Sequence, residues 1–153
     1  MQLPNGMEAG FQGVVDLVTM RALYFDGPSG EAFREDEIPA EMIERAQSAR
    51  EDMLDALSMF SDELAESFLE GKETAEQIRA AARKGTLSLD LTPVFMGSAY
   101  KNKGIQPLLD AVVAYLPSPR DVKNTAHDLD ADGAKVELLP DPSADLAALA
   151  FKL

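Results

Sequence analysis

The hydrophobic period of this chain changes along its length, and that change limits the available folds more than any other feature. Between Pro39 and Phe60 the residues Met42, Ile43, Ala46, Ala49, Met53, Leu54, Leu57 and Phe60 recur at spacings of three and four. That is the period of an amphipathic helix of about five turns, with Pro39 at a first helical position. Ser61, followed by Asp62 and Glu63, opens a second helix that Leu64, Phe68 and Leu69 make amphipathic and Gly71 ends. Thr74-Ala75-Glu76-Gln77 is a capping box for a third, closed by Lys84 and Gly85. Strand-like sequence lies on both sides of these helices. Residues 11–25, FQGVVDLVTMRALYF, are rich in Val, Leu, Tyr and Phe and run into the turn Asp26-Gly27-Pro28-Ser29-Gly30, which predicts a strand pair or hairpin. From Thr86, Leu87, Leu89 and Leu91 alternate with polar residues and Pro93-Val94-Phe95-Met96 follows as a short apolar run, so strands are expected there too. The expected class is α/β, with helices packed on a mixed or antiparallel sheet. No internal repeat is present.

Beyond Met96 a polar, glycine-bounded loop, Gly97-Ser98-Ala99-Tyr100-Lys101-Asn102-Lys103-Gly104, leads to a helix expected to start at Pro107. Its apolar face reads as Leu108, Leu109, Val112, Val113 and Leu116, and Pro117-Ser118-Pro119 stops it. Residues 120–146 are polar and acidic and read as a connector with one short hairpin around Asp132-Gly133. The stretch Leu146 to Leu153 is strand-like and ends without a turn, the mark of a truncated chain.

Charge narrows the function. Fourteen Lys and Arg against 27 Asp and Glu leave a net charge of −13, which argues against a direct grip on nucleic acid, because neutralising phosphates takes clustered cations. The acidity favours solubility, or steering toward a basic partner. No window approaches the ~18 apolar residues that span a bilayer, and the N-terminus MQLPNGMEAG lacks the regions of a signal peptide. Zero cysteines exclude a disulfide framework, a thiolate metal site and a cysteine nucleophile, and fit a reducing cytoplasm. The one histidine, His127, makes an all-histidine metal site or a Ser-His-Asp triad improbable, and in a polar connector it reads as a bystander.

Several short patterns carry less than they promise. Asp128-x-Asp130-x-Asp132-Gly133 copies the first six positions of a calcium loop, but Leu139 stands where the closing bidentate Glu belongs, so an acidic turn is expected. Neither G-x-x-x-x-G-K-[ST] nor G-x-G-x-x-G is present. Asp130-x-x-Gly133 matches a GTPase magnesium motif only at two fixed positions and lies in the connector. Glu41 with Arg45 and Asp52 with Asp55 sit at helical spacing on a solvated face, and their expected role is solubility and local pairing rather than acid–base catalysis. No catalytic residue and no metal ligand is expected. The loop from Gly97 to Gly104 differs, because it joins an apolar strand-like run to a helix, and ligands of open α/β sheets bind outside the carboxyl ends of strands. Its free N–H groups could read the edge of a base, although every α/β protein has several such loops and only some touch ligand.

At this loop the sequence resembles elongation factor G, a translational GTPase. The resemblance is carried by Gly97-Ser98-Ala99-Tyr100-Lys101-Asn102-Lys103-Gly104-Ile105-Gln106, by Leu108-Leu109-Asp110-Ala111-Val112 and by Tyr115-Leu116-Pro117-Ser118-Pro119. It extends to Gln2-Leu3-Pro4, Gly13-Val14-Val15-Asp16-Leu17, Leu69-Glu70-Gly71, Arg83-Lys84-Gly85-Thr86 and Ala147-Ala148-Leu149-Ala150-Phe151-Lys152; only residues 120–146 match weakly. The resemblance implies a fragment of a multidomain factor that binds and hydrolyses GTP on the ribosome to move tRNA and mRNA. Residues 1–90 would be a subdomain inserted in a P-loop GTPase domain. Residues 91–118 would supply that domain's last strand, guanine-contacting loop and final helix, with 119–146 a connector and 147–153 the first strand of a following β-barrel. Ser98, Ala99 and Tyr100 would line the guanine, with the Ala99 N–H facing its carbonyl oxygen.

GTP and Mg²⁺ would serve the intact protein. The family's phosphate loop, switch segments and Asn-Lys-x-Asp motif fall outside these residues, and Asn102-Lys103-Gly104-Ile105 lacks that motif's acid, so the chain alone is expected to bind GTP weakly and not to hydrolyse it. The resemblance also implies that the inserted subdomain docks the large-subunit stalk protein of the ribosome. The matching positions are Asp55, Met59 and Asp62, two acidic and Met59 a departure. The expected protein is a cytoplasmic monomer without direct nucleic-acid or membrane contact. A recycling paralogue, or a stand-alone acidic binding module, would be the alternatives.

Overall fold

The computed structural model describes residues 1–27 and 29–149 and divides the chain into two compact units, Met1–Leu116 and Pro117–Leu153. In the first unit a four-stranded antiparallel sheet runs as a meander through β1 (Gln2–Asn5), β2 (Gly13–Asp16), β3 (Arg21–Asp26) and β4 (Ala32–Asp36). The expected hairpin is β2–β3, in the register Val14↔Leu23 and Val15↔Ala22. Successive strand residues point to opposite faces, so the full burial of both Val14 and Val15 means that β2 is covered on both sides. Val15 packs with Leu17 and with Ala46 from the first helix, whereas Val14 packs with Leu23, Phe25, Phe11 and Met96. Edge strand β4 is exposed throughout, and its charges at Arg34, Glu35 and Asp36 discourage pairing with another chain.

Three helices follow: α1 (Ile43–Ser58), α2 (Asp62–Leu69) and α3 (Ala75–Leu87). Their starts obey the sequence. The Ser61 hydroxyl accepts from the Leu64 N–H at 3.2 Å, and Thr74 and Gln77 close a full capping box. The principal core forms where these helices meet, from Leu54, Leu57, Leu64, Ile78, Ala81 and Ala82, joined by Val18 from the β2–β3 turn.

The end of α3 departs from expectation. Gly85 lies inside the helix and is a packing position: a Cβ there would come within 3.1 Å of the Phe60 ring and of Leu91. The stop is instead a Schellman motif, in which the Asp90 N–H donates to the Gly85 carbonyl and the Leu89 N–H to that of Thr86, both at 3.1 Å, with Leu89 left-handed at φ 65°. The alternation of Leu87, Leu89 and Leu91 is therefore a helix end and its cap. Residues 88–97 form no strand, and the run Pro93–Met96 is tied down through the Met96 N–H, which donates to Gln2 Oε1 at 3.1 Å.

The last helix of this unit, α4 (Ile105–Tyr115), begins two residues before Pro107. Proline is tolerated there because the first-turn N–H groups have no partner within the helix. Its inward face also corrects the expectation. Ala111 and Tyr115 are buried, because a small residue followed one turn later by a ring lets α4 approach α3, while Leu109 is 60% and Val113 82% exposed. Leu108, Val112 and Leu116 are exposed as well. Arg83 of α3 donates to the carbonyls of Ala114 at 2.9 Å and Leu116 at 3.1 Å, satisfying the end of α4.

In the second unit β5 (Asn124–Asp128) and β6 (Ala134–Leu138) pair as the hairpin expected within the connector. Ala147, Ala148 and Leu149 are in no strand; the rest of the strand expected over 147–153, residues 150–153, lies outside the described residues. Among the described residues no helix is long and apolar enough to cross a membrane.

Candidate functional site

The loop between Gly97 and Gly104 is closed at its neck. Ser98 and Lys103 form an isolated antiparallel bridge, with the Ser98 N–H donating to the Lys103 carbonyl at 2.8 Å and the Lys103 N–H returning to Ser98 at 3.1 Å. Inside the neck, Ala99–Lys101 make one 3₁₀ turn, braced by Lys101 N–H to Ser98 O and Asn102 N–H to Ala99 O, both at 3.1 Å. The chain reverses through two left-handed residues, Asn102 at φ 53° and Gly104 at φ 83°. Asparagine tolerates that region. At Gly104 only glycine fits, because a Cβ would stand 2.6 Å from the Met96 carbonyl oxygen.

The neck holds the tip outward. Tyr100 is fully exposed, Ala99 is exposed and Ser98 is half-buried. The N–H groups of Ala99 and Tyr100 begin the 3₁₀ turn, where helical donors have no partner in their own helix, and among the described residues neither donates to a protein acceptor. Below the loop, the Phe95 ring stacks on Tyr115 of α4 with centroids 6.1 Å apart. Burial holds the Tyr115 hydroxyl above its ordinary pKa, the Arg79 charge opposing in part. The loop thus presents two backbone N–H groups that donate to no protein acceptor among the described residues and could be taken by a ligand acceptor.

Asp55, Met59 and Asp62 fall together at the corner between α1 and α2, Asp55 near the end of one helix and Asp62 at the start of the next. All three are exposed, Met59 at 84%. The acidic triplet of the second unit is a turn: Asp128 Oδ1 accepts from the Asp130 N–H at 3.0 Å, its carbonyl accepts from the Gly133 N–H at 2.8 Å, and Asp132 and Gly133 are left-handed. His127 donates from Nδ1 to the Gly133 carbonyl at 2.9 Å, which makes it part of the same turn. Among the described residues no three potential metal ligands are grouped.

Two features escaped the sequence. One is the neck itself, since neither Ser98 nor Lys103 announces a cross-bridge, although Asn102 and Gly104 are residue types that favour left-handed backbone. The other is an open cleft of about 410 Å³ floored by Leu23, Phe95, Ala111 and Tyr115 with Asp16, Arg79 and Asp110 around it, assembled from segments far apart in the chain.

No family model matches the chain. Curated relatives do, over all of it. It is 60% identical over 153 residues to elongation factor G 2 of Anaeromyxobacter dehalogenans, and 54% identical to elongation factor G 1 of both Syntrophus aciditrophicus and Treponema pallidum. The chain spans 22% of the length of each of these relatives. A solved structure from Thermus thermophilus superposes with a TM-score of 0.67 at 29% identity, covering 82% of this chain and 19% of that one.

Proposed function

Because this chain is kin along its whole length to elongation factor G, we propose that it works as part of a translational GTPase, a factor that binds GTP, hydrolyses it on the ribosome and drives movement of tRNA and mRNA. Residues 1–90 act as the subdomain inserted in the GTPase domain, and 91–118 as that domain's guanine-contacting end. Residues 119–146 act as a connector and 147–153 as the start of the next domain.

Ser98, Ala99 and Tyr100 form one wall of the guanine site. The observation that supports this is the N–H of Ala99, which donates to no protein acceptor among the described residues and lies on an exposed loop closed by the Ser98–Lys103 neck, free to donate to the base's carbonyl oxygen. A donor fixed beforehand loses little freedom on binding. These residues fit the base of GTP and not its phosphates or Mg²⁺. Phosphoryl transfer depends on positioning phosphate and metal, so the 153 residues alone do not catalyse it. The ribosome is the partner, with Asp55, Met59 and Asp62 facing its stalk protein; the intact factor is monomeric and cytoplasmic.

Fluorescent GDP binding to the intact factor tests the guanine assignment. Ala99→Pro removes the N–H and should weaken binding about tenfold, the scale of one lost donor to a buried acceptor. Unchanged affinity in a folded variant would remove this loop from the guanine site.

A further inference from the structure

The turn between β3 and β4 lies against the far side of the clamped loop. Gly30 is buried there at φ +62°, and a Cβ on it would stand 2.7 Å from the Asn102 carbonyl oxygen and 2.9 Å from that of Lys101. From the first turn of α4, Gln106 Nε2 donates to the Gly30 carbonyl at 3.2 Å across 76 positions of sequence. Gln106 Oε1 is buried and has no partner among the described residues, so the hydrogen bond to Gly30 is what orients this side chain.

Lys101 and Asn102 close the 3₁₀ turn that carries the free N–H groups of Ala99 and Tyr100. Asn102 is also left-handed at φ 53°, a conformation that asparagine tolerates but that its surroundings must hold against the commoner right-handed one. The contact from Gly30 supplies such a surrounding. We propose that Gly30 and Gln106 are positioning residues, through which the β3–β4 turn holds the guanine-contacting loop in register and sets how long a guanine nucleotide stays bound. This rests on the assignment of Ser98, Ala99 and Tyr100 to the guanine. It adds that the inserted subdomain holds that loop through the close approach of Gly30 rather than at a distance.

The matched pair Gly30→Ala and Gly71→Ala tests it in the intact factor. Both glycines have positive φ, +62° and +67°, but a Cβ at Gly71 meets nothing within 4 Å, so the second variant carries the backbone strain without the contact. Gln106→Leu keeps bulk and removes the donor, and it preserves the test if Gly30→Ala does not fold. Two quantities are read: deuterium exchange of the peptide covering 97–104, and dissociation of a fluorescent GDP. Gly30→Ala and Gln106→Leu should raise both by roughly five- to tenfold, the lower range of site-to-site coupling, with Gly71→Ala unchanged. Exchange at wild-type rates in Gly30→Ala and Gln106→Leu would overturn the brace. Faster exchange with unaltered GDP release would also overturn it, provided Ala99→Pro still weakens GDP. If Ala99→Pro leaves GDP unaffected as well, the guanine assignment fails and the proposal falls with it.

Discussion

Arg50 ties three segments together with one side chain. Its guanidinium donates to the carbonyls of Leu17 and Val18, the latter at 2.8 Å, and to Glu73 at 3.1 Å, and each partner of that ion pair is only 16% exposed. The planar fork suits this work, since separate N–H groups reach separate acceptors without bending the side chain. Arg50→Met would keep the aliphatic packing but strand two carbonyls and a carboxylate in a site with little water. A loss of about 2–4 kcal/mol is expected, read as a lower urea midpoint at unchanged slope. Nothing in the sequence marks Arg50 apart from Arg45, the other arginine of α1, because its acceptors are backbone groups supplied by a turn more than thirty positions away. Ser98, Ala99 and Tyr100 were legible as a glycine-bounded loop before a helix. Their brace at Gly30 was not, for the same reason of sequence distance.

Helix ends show how far local signals carry. α2 and α3 finish on the same Schellman motif, but α2 places Gly71 in the left-handed position and α3 places Leu89 there. Glycine occupies that conformation freely, whereas leucine pays for its Cβ in strain. Leu89 is 91% exposed and so loses little packing on truncation. Leu89→Gly should therefore raise stability by about 0.5–1 kcal/mol, seen as a higher midpoint in thermal or urea unfolding. The starts of α2 and α3 were readable because Ser61, Thr74 and Gln77 act on N–H groups within three residues. The stop of α3 was not, since Gly85 mimics a terminator while serving as a close-packing site beneath Phe60. The inner face of α4 was unreadable for a different reason. Periodicity tells which residues are apolar, and only tertiary contact tells that Ala111 and Tyr115 meet α3 while the larger aliphatics face away.

At the level of the whole chain, charge bears on the proposed partner. A net −13 repels RNA and favours a basic protein surface, and the exposed corner of Asp55, Met59 and Asp62 offers that surface two carboxylates around a thioether. Reversing both aspartates to lysine adds two charges at each site, taking −13 to −9. In the intact factor, stalk-dependent stimulation of GTP hydrolysis should then slow. The loss should be larger at low salt, because charges interact over about 10 Å at 0.1 M ionic strength and farther below it. Unchanged stimulation and salt dependence in a folded variant would reduce these residues to surface. The outward row on α4, Leu109 and Val113 above all, has its own consequence for the 153 residues handled alone. Mutual repulsion keeps copies apart in dilute buffer, and added salt weakens that repulsion while leaving the aliphatic row as sticky as before. These residues alone should therefore stay dispersed longer in dilute buffer than in brine, a difference that light scattering across a salt series would read.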